Sequence, residues 1–243
     1  MSTNLISGSQ PLATELDRPL YTPIKRRSFF MYAGATAGAT ALVLAGCKDN
    51  SDSPGMVSLG TGDVGVLNYA YALEQLEAAF YTQLRMGTYY LGTATVPATA
   101  AEKAILDDLY YHEVIHRDFF KAAITSVATP IKALTPNFSA IDFSSRASVL
   151  GAAKTFEDLG VQAYNGAGQY ITNPGYLYIA GKIVSVEARH AAVIRDLLTE
   201  GSFVASDVIN SSSQELSKAP NDVITAANAF LADGSKISSP GTF

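Results

Sequence analysis

The sequence has one cysteine, no tryptophan and only three histidines in 243 residues. A single cysteine excludes an internal disulfide framework and any metal site built from several thiolates. The net charge is −5 and charged side chains make up 16% of the chain, which argues against a general nucleic-acid-binding protein. With 48% apolar residues, the composition also lies far from that of disordered chains. The length therefore suits one folded domain with appendages, and any histidine-based metal site must draw on His112, His116 and His190.

The first 46 residues have the order of a secretory signal. Basic residues in KRRSFF at 25–30 precede an apolar run at 31–46, which ends in small residues before Cys47. The paired arginines resemble a bacterial twin-arginine signal, and LAGC at 44–47 resembles a lipobox whose cysteine is lipidated. An uncleaved membrane anchor is the alternative, but the run is short and rich in Gly and Thr. We therefore expect an exported lipoprotein, periplasmic or on the cell surface, attached to a membrane through Cys47.

Composition and hydrophobic patterning divide the rest of the chain into three parts. Residues 47–62 are rich in Ser, Gly and Asp, which is typical of a flexible tether. Residues 63–200 carry apolar side chains at helical spacing in long segments. Residues 201–243 are more polar and form a C-terminal extension. The expected organisation is therefore a signal at 1–46, followed by the tether, a helical domain and the extension.

Apolar periodicity, together with breaks at Gly and Pro, predicts four long helices and one short helix. Thr99 stands three residues before Glu102, which is the spacing of a capping box at the start of the second helix. The predicted long helices occupy 64–86, 99–128, 145–171 and 176–199, and the short helix lies near 220–231.

The lengths of the connections predict how these helices are arranged. The links at 87–98 and 173–175 are short, whereas the link at 129–144 can extend roughly 50 Å at about 3.3 Å per residue. A helix of about 25 residues is roughly 38 Å long, so the middle link can run the length of the bundle. The expected fold is therefore all-α, an antiparallel four-helix bundle with a long middle crossover.

Two Glu-x-x-His motifs carry most of the chemical information. Glu113 and His116 lie on the second predicted helix, and Glu187 and His190 lie on the fourth. The spacing puts a carboxylate and an imidazole on the same helix face, one turn apart. With nine glutamates and three histidines in the chain, chance predicts roughly 0.1 such motifs, whereas two are present. The doubled motif indicates a metal site.

The first and third helices each add a glutamate with a tyrosine seven residues later. Glu74 and Tyr81 share a face of the first helix, and Glu157 and Tyr164 share a face of the third. The order Glu-x6-Tyr and then Glu-x-x-His therefore occurs in both halves of the domain. Glu77 lies three residues from Glu74 on the same face, so helical geometry leaves both open, although the matched step to tyrosine favours Glu74.

This arrangement resembles the ferritin-like superfamily of di-iron and di-manganese carboxylate proteins over residues 64–200. The segments LEQLEAAFY and VEARHAA are similar to an exported bacterial ferritin-like group that includes desiccation-related proteins. The resemblance implies six ligands for two metal ions: bridging Glu113 and Glu187, capping His116 and His190, and terminal Glu74 and Glu157, with Glu77 as the alternative to Glu74. It also implies that Tyr81 and Tyr164 serve as hydrogen-bond or electron-transfer residues beside the ligands.

The donor set favours a hard-to-intermediate metal. Carboxylates and imidazoles suit Fe or Mn, and Zn also accepts them, so we expect two Fe or two Mn ions with the identity open. Without metal, six buried polar groups would each cost several kcal/mol if unpaired. The alternative is a metal-free bundle with surface glutamates and hydrogen-bonded histidines. His112 lies about 100° around the helix from Glu113, so a structural or solvent-facing role is expected for it.

The expected function is redox chemistry of O2 or peroxide at a dinuclear centre, as a peroxidase, a catalase-like enzyme or a ferroxidase. O2, peroxide or ferrous ion would be the substrate, and the lipid anchor would be the only membrane contact. No nucleic-acid partner is expected, and the oligomeric state stays open. The alternative is a metal-binding or stress-protection lipoprotein without turnover, because a fold and a site do not fix a function.

Overall fold

The computed structural model describes residues 55–240 and residue 243. The predicted signal, Cys47 and the first part of the tether lie outside the described residues. Within them the chain forms six α-helices and no extended strand, only isolated bridges. The helices are α1 (Gly62–Leu84), α2 (Thr88–Leu91), α3 (Ala100–Thr125), α4 (Arg146–Ala167), α5 (Pro174–Leu198) and α6 (Pro220–Asn228). Short 3-10 helices, Gly168–Tyr170 and Ser202–Val204, follow α4 and α5.

The long helices α1, α3, α4 and α5 begin and end within four residues of the predicted bounds. The all-α prediction is therefore confirmed. Two details differ from the expectation. The single turn of α2 was not predicted, because glycines at 87 and 92 bound it too closely for a periodicity argument. The third predicted helix ends as α-helix at Ala167, where neighbouring glycines lower the helix propensity and the chain tightens into a 3-10 turn.

Local capping sets the start of the two helices that carry the Glu-x-x-His motifs. At α3, the Thr99 hydroxyl accepts a hydrogen bond from the Glu102 amide at 3.1 Å, and the Glu102 carboxylate accepts one from the Thr99 amide at 2.9 Å. At α5, the Asn173 side chain accepts a hydrogen bond from the Gly175 amide at 2.8 Å, and Pro174 occupies the first turn. The predicted capping box is thus present.

The long helices pack as two hairpins, α1 with α3 and α4 with α5, and α1 also packs along α4. The link between α3 and α4 runs beside α1 from its first turns to just beyond its end. Three hydrogen bonds mark this path. In the link, the amides of Ile131 and Leu134 donate to the side chains of Asn68 and Gln75 on α1. Near the end of the link, the Phe143 carbonyl accepts a hydrogen bond from the Tyr89 amide, which lies just beyond α1. The long middle crossover is therefore a feature of the fold.

The C-terminal extension packs along the bundle and adds to its core. Phe80 lies at the centre of an aromatic cluster, with ring centroids 4.9 Å from Phe156 and 6.0 Å from Phe138. Phe230, just beyond α6, lies 4.7 Å from Phe156. No helix among the described residues is long and apolar enough to cross a membrane.

The extension crosses α4 at a single glycine. A Cβ added at Gly166 would lie only 1.9 Å from the carbonyl oxygen of Lys218, and the Lys218 amide donates a hydrogen bond to the Gln162 carbonyl at 3.1 Å. Only a residue without a side chain allows the two backbones to approach this closely.

Candidate metal centre

Each long helix contributes one glutamate to a buried cluster inside the bundle. The four are Glu74 on α1, Glu113 on α3, Glu157 on α4 and Glu187 on α5, all with no exposed surface. His190 is 3% exposed, and the His116 side chain is 11% exposed. Charged groups so fully removed from water require partners that replace their hydration.

The six side chains form two overlapping ligand sets, and within each set the ligand atoms lie within 4.8 Å of one another. The first set consists of Glu74, Glu113, His116 and Glu187, and the second of Glu113, Glu157, Glu187 and His190. Because Glu113 and Glu187 belong to both sets, the cluster offers two neighbouring positions for a metal ion.

The two motifs interlock across the bundle. His116 Nδ1 lies 2.7 Å from Glu187 Oε1 and 3.6 Å from Glu113 Oε2 on its own helix. His190 Nδ1 lies 2.7 Å from Glu113 Oε1 and 3.4 Å from Glu187 Oε2 on its own helix. Each histidine is therefore closest to the glutamate of the opposite motif, which gives the centre an approximate two-fold arrangement.

Eight ligand atoms of the cluster are buried and have no hydrogen-bond partner, although each histidine Nδ1 lies 2.7 Å from a carboxylate oxygen. They are Oε2 of Glu74 and Glu157, both carboxylate oxygens of Glu113 and Glu187, and Nδ1 of His116 and His190. A buried polar group without a partner costs about 1–3 kcal/mol, and proteins rarely contain several together. Convergence of unpartnered carboxylate oxygens and imidazole nitrogens fits metal ligation better than a hydrogen-bonded polar core.

The charges of the cluster shift the pKa values of its members. Burial lowers the pKa of His116, but the carboxylates of Glu113, Glu187 and Glu74 outweigh this effect and raise it to about 12. Burial raises the pKa of Glu187, but contact with His116 and His190 outweighs it and lowers the pKa to about 2. The pKa of Glu113 is raised by burial and by the charge of Glu187. Protons on the two histidines therefore offset only part of the charge of the four carboxylates without metal, and the raised pKa of Glu113 favours a proton there as well. A bound ion must displace these protons.

The two predicted tyrosines reach the centre across the hairpin interface. Tyr81 on α1 donates a hydrogen bond to Glu157 Oε1 on α4, and Tyr164 on α4 donates one to Glu74 Oε1 on α1. The tyrosine and glutamate on one helix share a face, but seven residues separate them by about 10 Å along the axis, too far for a direct bond. The tyrosine hydroxyls thus bind Oε1 of Glu74 and Oε1 of Glu157. The second oxygen of each carboxylate, Oε2, has no hydrogen-bond partner.

Glu77, the alternative candidate on α1, lies outside both ligand sets although it is only 3% exposed. A Cβ added at Gly160 on α4 would lie 2.9 Å from Glu77 Oε1, so this carboxyl group uses space that a larger residue would fill. Burial raises the pKa of Glu77 well above its ordinary value, and the charges of Glu113 and Glu187 add to the effect. The geometry therefore places Glu74 among the ligand atoms and leaves Glu77 beside them in a setting that favours its protonated form.

His112 is the residue of the centre that sequence reasoning missed. Its Nδ1 lies 2.9 Å from His190 Nε2, and the two rings are stacked with centroids 5.1 Å apart and planes 10° apart. His190 thus has a partner on the nitrogen opposite the ligand set, which is how histidine ligands are commonly oriented. The one signal in the sequence is the four-residue spacing from His116, which puts both histidines on one side of α3.

The fold and the site together define a four-helix-bundle protein with a buried carboxylate–histidine centre that can hold a metal ion. The family model described as a ferritin-like domain matches residues 62–200, more than half of the chain, and the chain belongs to this family. The resemblance to the ferritin-like superfamily is thereby confirmed. Comparison with curated proteins returned no match.

Proposed function

We propose that this protein is an exported, lipid-anchored redox enzyme whose buried cluster holds two Fe or two Mn ions and acts on O2 or peroxide. The proposal is carried by eight unpartnered ligand atoms that converge in two sets sharing Glu113 and Glu187. Shared carboxylates favour two neighbouring ions over one, and the mixture of carboxylate and imidazole suits Fe or Mn.

The chemistry needs two electrons and two protons. Two ions that each change charge by one unit would supply the electrons that convert O2 to hydrogen peroxide, or peroxide to two waters. Glu113 and Glu187 would bind both ions, and His116 and His190 would bind one each. The burial of these side chains excludes bulk water from the centre.

Tyr81 and Tyr164 orient the two remaining ligands. Each tyrosine hydroxyl donates a hydrogen bond to Oε1 of one of these carboxylates, Glu157 or Glu74. The bond limits rotation of the carboxylate and leaves its Oε2 available to a metal ion. A phenol this close to the centre is also placed to pass an electron, which is the role that the resemblance implies for it.

The electrons must be returned from outside the chain. A single cysteine cannot build the four-cysteine iron site that some proteins use for this purpose. Ferrous ion as donor would make the protein a ferroxidase, and another external reductant would make it a peroxidase. A second peroxide, oxidised to O2 with release of two electrons and two protons, would make it catalase-like.

Export and lipidation rest on the sequence of the N-terminal region. KRRSFF at 25–30, the apolar run that follows it and LAGC at 44–47 support translocation and attachment through Cys47. Mass spectrometry of Cys47 in membrane fractions tests this part of the proposal, and an unprocessed N-terminus with an unmodified thiol would contradict it.

The metal content of the purified protein tests the centre. After production in medium with both Fe and Mn, elemental mass spectrometry should find about two ions per chain. The double variant Glu113→Ala/His190→Ala should lose them, because it removes a shared carboxylate and one histidine. Glu200→Gln, which neutralises an exposed glutamate, is the matched control and should keep the wild-type content.

Consumption of O2 and of peroxide by the metal-loaded protein then tests turnover. A folded, helical wild-type protein with no more metal than the double variant would overturn the whole proposal. Metal without turnover would instead support a second candidate, a metal-binding or stress-protection lipoprotein. A centre without an open coordination position would also favour that candidate, because closed coordination is typical of structural sites.

A further inference from the structure

An apolar cavity lies at the end of the bundle where α4 joins α5. Sixteen residues line it, none of them charged, and its only polar side chains are three tyrosines, Tyr69, Tyr164 and Tyr176. The volume of the cavity is about 30 Å³, which is room for one very small molecule. The cavity is therefore suited to a very small molecule without charge or hydrogen-bonding groups.

The inner wall of the cavity adjoins one half of the metal centre. Leu73 directly precedes Glu74, and Phe120 lies one helical turn after His116. Tyr164, also in the wall, donates its hydrogen bond to Glu74 Oε1. Tyr164 thus connects the wall of the cavity with the first ligand set.

The outer wall reaches solvent. Tyr176, Ile179 and Ala180 on α5 line the cavity and are partly exposed, whereas Ala70 and Ala163 deeper in the wall are buried. The cavity therefore extends from residues near the surface, between the end of α4 and the start of α5, to Tyr164 beside Glu74.

The other half of the centre is packed differently. The ring of Tyr81, the counterpart of Tyr164, lies 5.1 Å from that of Phe80, which in turn contacts Phe156. All three rings are buried to at least 99%, so aromatic side chains fill the space beside Tyr81. The surroundings of Tyr81 and Tyr164 therefore differ, although the ligand groups have an approximate two-fold arrangement.

We propose that this cavity binds dioxygen and leads it to the Glu74–His116 half of the centre, so that O2 rather than peroxide is the oxidant. The inference rests on the proposed function and narrows its substrate. O2 has no hydrogen bonds with water to lose, so entry into an apolar cavity costs it little. Peroxide would lose the hydrogen bonds of two hydroxyl groups and find almost no partners in this wall.

Xenon is the probe for the cavity, because dry apolar cavities bind it without help from a metal. Crystals of the protein under xenon pressure should show a xenon atom among the lining residues. Two variants, Ala70→Leu and Ala163→Leu, fill the cavity from opposite helices and should abolish that site. Ala104→Leu, at an exposed position of α3, is the matched control and should keep it.

Oxidant consumption is measured on the same variants after metal loading. Each cavity-filling variant that folds should consume O2 about fivefold more slowly or worse, with peroxide consumption and metal content unchanged. Absence of xenon from the wild-type cavity overturns the inference whether or not the variants fold. The inference is also overturned if the cavity-filling variants lose O2 and peroxide consumption equally, or lose neither. A wild-type protein that consumes peroxide but not O2 would overturn it as well. A wild-type protein that binds xenon in the cavity but consumes neither oxidant contradicts the proposed function. The cavity would then exist, but it would not deliver O2 to a reaction.

Discussion

Tyr81 on α1 donates its hydroxyl hydrogen bond to Glu157 on α4, so a residue of one helical hairpin holds a carboxylate of the candidate metal centre that belongs to the other hairpin. Tyr164 makes the reciprocal bond to Glu74. Both bonds cross the interface between the hairpins at the depth of the centre. Docking of the hairpins and shaping of the centre are therefore coupled, since neither bond can form within a single hairpin.

Replacing Tyr81 by Phe should weaken metal binding by about 10–100-fold, because Glu157 loses the donor that holds its carboxylate. Chelator competition on the purified variant measures the effect. Tyr69→Phe is the matched control, since the Tyr69 hydroxyl is buried without a hydrogen-bond partner and its removal leaves nothing unpaired. Equal losses in both variants would show that the bond to Glu157 has no special role.

Glu74→Gln and Glu77→Gln separate the two candidate ligands on α1. Glu74→Gln should reduce the metal content to about one ion per chain, because it disables the first set and leaves the second intact. Glu77→Gln should retain the wild-type content, because glutamine has nearly the shape of the protonated acid that this site favours. Elemental analysis of both variants decides the matter, and the reverse pattern would make Glu77 the ligand.

His112→Ala should weaken binding of the ion held by His190 by about tenfold or more, because His190 loses the partner that orients its ring. Stepwise metal titration should show one weakened and one unchanged step. His112→Gln, which can still reach the ring nitrogen with a polar group, should recover part of the loss. If both steps of the metal titration are unchanged in His112→Ala, the contact between His112 and His190 has no role in metal binding.

The metal-free protein should become less stable as the pH rises above about 6.5. The folded protein keeps the His116 proton up to a pKa of about 12, whereas the unfolded chain releases it near the ordinary histidine value. The unfolded state then binds fewer protons, so the free energy of unfolding falls by at most about 1.4 kcal/mol per pH unit for each such histidine. Urea denaturation in the presence of a chelator at pH 6.5 and 9 measures this slope.

Metal should reverse this dependence. An ion takes the place of the protons on the histidines, so binding should release protons and tighten as the pH rises. Calorimetry in buffers of different ionisation enthalpy counts the protons. Binding that is independent of pH between 6 and 8 would contradict the protonated, metal-free cluster.

Two glycines of α4 test how the extension packs. Gly166→Ala should destabilise the protein by about 1–3 kcal/mol, because the new methyl group meets the Lys218 carbonyl oxygen. Gly151→Ala in the same helix has open space around the added carbon and should stabilise it by up to about 1 kcal/mol. Thermal unfolding of both variants gives the comparison, and similar effects would mean that the backbone at Lys218 does not approach α4 closely at Gly166.

Much of the fold could be predicted because its signals are local. The capping box of Thr99 and Glu102, the turn before α5 and the helical spacing of apolar residues all act within a few positions of the chain. The long crossover between α3 and α4 could be predicted from the number of residues in that link alone. The turn of α2 escaped prediction because it is too short to show a period.

The sequence by itself determined which residues share a helix face, and with it the two Glu-x-x-His motifs, because 3.6 residues per turn fixes those neighbours. Only the tertiary structure decided that Tyr81 bonds to Glu157, that Glu74 lies within the candidate ligand sets with Glu77 beside them, and that His112 meets His190. It also decided that a cavity adjoins one half of the centre and packed aromatic rings the other. These relations depend on the rotation and axial shift of whole helices against one another, which are settled by packing over the entire interface and not by any short stretch of chain.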